Sequence, residues 1–109
     1  MDNEVYKTRR QVIDIIYQAK KIADLPRIDV RVGEARHNIL GIARMGDCKI
    51  WIDVSKSANN LLQVVLHEIC HAVWGIEHDE KCPLMSATAK TISDKKAWDC
   101  FKKYIEYNN

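Results

Sequence analysis

Residues 62–78 read LQVVLHEICHAVWGIEH. On a helix, His67 and His71 stand four positions apart, so their rings leave one face and can share a small cation. Glu68 follows about 100° further round the same cylinder, where it flanks the cation without ligating it. The opposite side carries Leu61, Leu62, Val65, Ile69, Ala72, Val73 and Ile76. That apolar stripe is expected to pack inward and leave the histidines facing a cleft.

His78 extends the pattern only if the chain turns first. On an unbroken helix it would lie about 10 Å along the axis from His71 at 1.5 Å per residue, too far for metal–nitrogen bonds of about 2 Å. Gly75 supplies the stop, because glycine enters the left-handed conformation that ends helices. The H-E-x-x-H spacing, the glycine stop and a returning histidine make one consistent design for a metal site, where the imidazoles and a flanking carboxylate converge.

The remaining elements follow from periodicity and punctuation. Val5, Val12, Ile13, Ile16, Ala19 and Ala23 recur at helical spacing over residues 4–24, a helix expected to stop before Pro26. Alternation over residues 27–32 reads as a half-buried strand. Residues 39–45 and 48–54 read as a hairpin about Gly46-Asp47, with Cys48, Ile50, Ile52 and Val54 against Lys49, Trp51 and Asp53. His37 falls in the loop before them and reads as a solvent-exposed residue. Ser57 or Asn59 is placed to cap the histidine helix, and Ser93 to cap a closing helix whose Ala97, Trp98, Phe101, Tyr104 and Ile105 share a face. The order helix, three strands, helix, loop, helix defines an α+β class.

With 109 residues, 47% apolar and 29% charged, the chain reads as one globular domain, 1–109. A net charge of +2 spread along the chain gives no footprint for nucleic acid. No run of about 18 apolar residues and no leader pattern is present, which excludes a membrane helix and makes the cytoplasm the expectation. Cys48, Cys70, Cys82 and Cys100 include no C-x-x-C pair, so reduced thiols are expected, with Cys70 a packed side chain.

These residues make the chain similar to a very small metzincin, the zinc-peptidase clan that contains matrixins and archaemetzincins. The clan pattern is H-E-x-x-H-x-x-G-x-x-H followed by a methionine turn, and here Leu84-Met85-Ser86 follows the histidines. The resemblance implies a mixed sheet and an N-terminal helix supporting the active-site helix, one zinc ion held by His67, His71 and His78, and Met85 as the turn methionine. It implies an endopeptidase that hydrolyses peptide bonds with a water activated on zinc and Glu68 as general base. An extended peptide would lie along an edge strand, here Lys49 to Val54, on a monomeric protein.

The chain departs from the pattern at one point. Three residues, Ala72, Val73 and Trp74, separate His71 from the glycine where the clan has two. Counted from His67 the third ligand falls on Glu77; counted from Gly75 it falls on His78. The helix stop fixes the turn and favours His78, with Glu77 the competitor, since two histidines and a glutamate also hold catalytic zinc. Cys82 occupies the place of an archaemetzincin ligand to a second zinc, but the downstream C-x-x-C of that site is missing. Two alternatives stand beside the peptidase: a closed structural site of His67, His71, His78 and Cys82 in a binding module, and a latent or highly selective peptidase with little chain left to grip substrate.

Overall fold

A computed structural model describes residues 3–33, 41–43, 46–53, 60–87 and 91–108. Its elements are α1 (Asn3–Lys20), β1 (Asp29–Gly33), β2 (Gly41–Ala43), β3 (Lys49–Asp53), α2 (Leu61–Trp74) and α3 (Asp94–Asn108). Three helices and a mixed three-stranded sheet make the α+β fold expected.

α1 buries Thr8, Val12, Ile16 and Ala19, residues spaced three or four apart. Ile13, expected in that stripe, is 43% exposed because it lies about 100° round from Val12. The helix also ends earlier than expected. The amides of Lys21 and Ile22 bond back only three residues, to Gln18 and Ala19, a tightened final turn that releases the chain before Pro26.

The strand order is β1-β3-β2, with β1 parallel and β2 antiparallel to β3. β3 is therefore the central strand, which corrects its expected place at the edge as a peptide track; Val54 lies outside the described residues. The cause is topological: β2 pairs with β3 through the hairpin, and β1 takes the other side, so both flanks of β3 are filled. Ile50 and Ile52 of β3 are buried as their alternation requires. Asp53, expected on the exposed face with Lys49 and Trp51, is buried instead. Cys48 precedes β3 with φ 55, closing the turn that Gly46 opens with φ 71.

α2 runs through the middle of the molecule, touching α1, β2, β3 and α3. Its burial is accordingly wider than the one-sided stripe: Val64, Leu66, Glu68 and Cys70 are enclosed as well as Val65, Ile69 and Ala72, because β2 and α3 cover flanks that the periodicity left open. The hairpin turn also docks on the helix end, with the amides of Gly46 and Cys48 donating to the carbonyls of His71 and Ala72. Asn60 is the N-cap and makes no side-chain cap bond; Ser57, Asn59 and His37 lie outside the described residues.

α3 begins as its sequence requires. Ser93 Oγ accepts the Lys96 amide at 3.1 Å, and the Phe101 ring packs between Trp74 of α2 and Trp98. Among the described residues no helix is long and apolar enough to cross a membrane.

Candidate metal centre

The end of α2 sets the geometry of the site. Gly75 adopts the left-handed conformation, φ 64 and ψ 26, its amide donates to the His71 carbonyl, and the Ile76 amide donates to Cys70. This paired capping arrangement terminates the helix abruptly and sends the chain back beneath it. The Ile76 carbonyl then accepts Nδ1–H of His71.

His67 is oriented in the same manner by a more distant segment. Its Nδ1–H donates to the Leu84 carbonyl at 2.7 Å, in a turn closed by the Asp79 amide on the Met85 carbonyl and the Met85 amide on the Cys82 carbonyl. Carbonyl oxygens only accept, so both Nδ1 atoms carry the hydrogens and both Nε2 atoms carry bare lone pairs. Those Nε2 atoms stand 3.0 Å apart.

Two facing lone pairs at that distance repel unless a cation lies between them. A proton is a poor occupant, because burial, with His71 and His78 nearby, lowers His67 to about 4. His71 is lowered too, chiefly by burial. A metal fits better, since tetrahedral zinc with bonds of about 2 Å places its nitrogens roughly 3.3 Å apart. His78 completes the set: ligand atoms of His67, His71 and His78 all lie within 4.8 Å of one another. The three residues thus form a group able to hold a metal ion, each ring nitrogen being an imidazole donor.

Glu77, the competing ligand, is exposed and stands outside this cluster. Cys82 stands outside it as well, so the fourth direction is not closed by a thiol. Met85 is fully buried in the core, while its neighbours Leu84 and Ser86 line the cleft. Glu80 braces that segment from outside, its carboxylate accepting Ser86 Oγ–H and the Ala87 amide.

The cleft, about 460 Å³, runs between β2 and the histidine face of α2. Glu68 lies within it, 6% exposed, and burial raises its carboxyl to about 7. Gly41 is the functional residue that periodicity passed over: a Cβ there would sit 2.8 Å from Glu68 Oε2 and 3.1 Å from Val64 Cγ1. β2 approaches α2 closely because this residue has no side chain. The available signal was a lone glycine inside a strand-like run, which marks a close approach.

No family model, curated protein or solved structure matches the chain.

Proposed function

We propose that this chain is a zinc-dependent endopeptidase of metzincin type, with His67, His71 and His78 holding one zinc ion and Glu68 acting as general base. The observation that carries the reading is the pair of Nε2 lone pairs 3.0 Å apart, each fixed by its own Nδ1–H bond to a carbonyl. Carbonyl bonds of this kind to the far ring nitrogen orient histidines for a metal, and nothing in ordinary packing needs the rings to face each other.

Bound zinc would acidify water and steady the charge on a substrate carbonyl oxygen. Glu68, whose carboxyl burial raises to about 7, would be the group that takes a proton from attacking water and hands it to the departing amine. Its burial keeps bulk water from levelling this exchange, and the absent side chain at Gly41 is what lets the strand lie against the carboxyl without a clash. The peptide lies extended along β2, whose outer edge borders the cleft and offers backbone groups for strand addition. A short edge of three residues grips only a short stretch, which supports a selective enzyme.

The experiment is zinc stoichiometry by elemental analysis together with cleavage of an unfolded protein and of folded candidates, with and without chelator. One zinc per chain and chelator-sensitive cleavage lost in Glu68→Ala are expected. Zinc binding below one tenth per chain, or cleavage unchanged in Glu68→Ala, would overturn the reading.

A further inference from the structure

Helix α1 carries a second face that the fold leaves uncovered. Its buried side chains, Thr8, Val12, Ile16 and Ala19, seat it on the rest of the molecule. Turned away from that seat, Tyr6, Ile13 and Tyr17 are 61%, 43% and 60% exposed. With Arg10 they line a shallow groove that shares no residue with the histidine cleft. At 100° and 1.5 Å per residue the four side chains fall within about 60° of arc, on a straight stripe roughly 16 Å long. Lys7 and Asp14 flank the stripe on one side, both exposed.

The spacing of the stripe is its own reverse. Tyr6, Arg10, Ile13 and Tyr17 are separated by four, three and four positions, the alternating intervals of a coiled-coil seam. A second copy laid antiparallel, centred between residues 11 and 12, sets Tyr6 against the partner's Tyr17 and Arg10 against the partner's Ile13. The same register brings each Asp14 level with the gap between Lys7 and Arg10 of the other copy. A parallel copy would instead set Arg10 on Arg10, which like charge opposes. Within one chain these charges are unmatched. Arg10 and Asp14 stand four apart, close enough to pair along the helix. The Arg10 guanidinium lies instead over the Tyr6 ring, 6.0 Å from its centroid, and the Asp14 carboxylate accepts Gln18 Nε2–H at 3.1 Å. Among the described residues none of Lys7, Arg10 and Asp14 forms an ion pair.

We propose that α1 is a self-association surface: two copies of this chain pair antiparallel along Tyr6, Arg10, Ile13 and Tyr17, with Asp14 of each held by Lys7 and Arg10 of the other. The contact is isologous, so every attraction occurs twice. A fully buried tyrosine covers about 150–250 Å². Four tyrosines, two isoleucines and the stems beside them bring the covered area to about the 1,000 Å² at which specific association begins. The dimer is therefore weak and concentration-dependent, where the metzincin resemblance implied a monomer. No residue of α1 lines the histidine cleft, and pairing leaves the metal centre as it is.

The test is sedimentation velocity on the whole chain over a range of about 10 µM to about 1 mM, where an interface of minimal size associates. The sedimentation coefficient should climb from monomer to dimer with concentration, and climb less at high salt, which screens the exposed charges. Two charge variants decide the register. Asp14→Arg leaves cations facing cations, and Lys7→Glu combined with Arg10→Glu leaves anions facing anions. Each alone should stay monomeric at the highest concentration, whereas an equimolar mixture of the two should dimerise again. Tyr17→Ser should raise the midpoint concentration about tenfold or more, as loss of an aromatic anchor does. All these positions are exposed, so circular dichroism and zinc stoichiometry should match wild type, and a failure here is distinct from a failure of the metal centre. A wild-type chain still monomeric at about 1 mM would overturn the proposal and give the stripe to a different partner. A dimer that survives Asp14→Arg, or a mixture of the charge variants that stays monomeric, would overturn it as well.

Discussion

The choice between His78 and Glu77 turns on one backbone conformation. Gly75 in the left-handed region ends α2 and lets His78 reach the other two rings, at centroid distances of 5.2 and 4.9 Å. His78→Ala is therefore expected to weaken zinc binding by more than the roughly 10–100-fold that loss of a hydrogen-bond partner behind a ligating histidine costs. Glu77→Ala should leave it unchanged. Competition against a chromophoric chelator reads both, and the reverse order would return the third position to Glu77. Glu68 gives a second prediction, on the metal-free chain. Its carboxyl rises to about 7 from 4.5, so the native chain holds a proton that the unfolded chain releases. Its contribution to stability falls as pH climbs from about 4.5 to about 7, and the loss is complete above, on the order of 3 kcal/mol. His67 has the opposite sign. It is lowered to about 4 from 6.5, so the unfolded chain binds the proton first and stability falls as pH drops through that window. The two offset between pH 4.5 and 6.5. Glu68→Gln should be more stable than wild type in urea at pH 8, the difference should vanish by pH 4.5, and the acid-side loss from His67 should stand alone. A variant no more stable at pH 8 would refute the burial argument.

β2 is only three residues long, yet it shapes the cleft, because Gly41 lets it lie against Glu68 and Val64. In Gly41→Ala the new Cβ meets not only the carboxyl end but also Glu68 Cγ and Val64 Cγ1, both at 3.1 Å. Rotation of the carboxyl alone cannot relieve that, so either Glu68 or the strand must shift. Zinc stoichiometry should stay at one while kcat/KM for a cleaved peptide falls by about tenfold or more, the cost of a misplaced catalytic group. Unchanged kcat/KM would show that the close approach is incidental. The same strand shows what sequence could and could not reveal. α2 and its stop were legible because helical spacing, H-E-x-x-H and glycine act over a few residues. α3 was legible because Ser93 caps it locally. The central place of β3 was not, since alternation of Ile50 and Ile52 is the same for an edge strand and a middle one. The wider burial of α2 was hidden for a related reason: Val64 and Cys70 are covered by β2 and α3, partners that no local pattern names. Of the site, the side chains could be read directly; the carbonyls of Leu84 and Ile76 that aim the rings are backbone atoms with no residue signature.

The described fold leaves the two halves of the candidate metal set differently secured. His67 and His71 stand on a helix enclosed by the sheet and by α3, whereas His78 is exposed, on a segment joined to the helix through Ile76 and to the later turn through the Asp79–Met85 bond. A metal that takes one nitrogen from the segment and two from the helix cross-links them, and it binds the native chain alone because the unfolded chain does not bring the rings together. Ligand excess then stabilises the fold by RT ln(1 + [L]/Kd), about 4 kcal/mol at a thousand times Kd. For a domain of this size that is a rise in Tm of roughly 16–30 °C. Calorimetry with and without zinc should show the rise in wild type and in Glu68→Gln, because Glu68 stands outside the three-histidine cluster. It should be largely lost in His67→Ala, His71→Ala and His78→Ala. Hydrogen exchange adds the location: zinc should slow the amides of residues 75–87 more than those of α1, which lies outside the histidine cluster and its cleft. A zinc-induced rise that survives removal of any one histidine would place the metal elsewhere and dissolve the three-histidine centre.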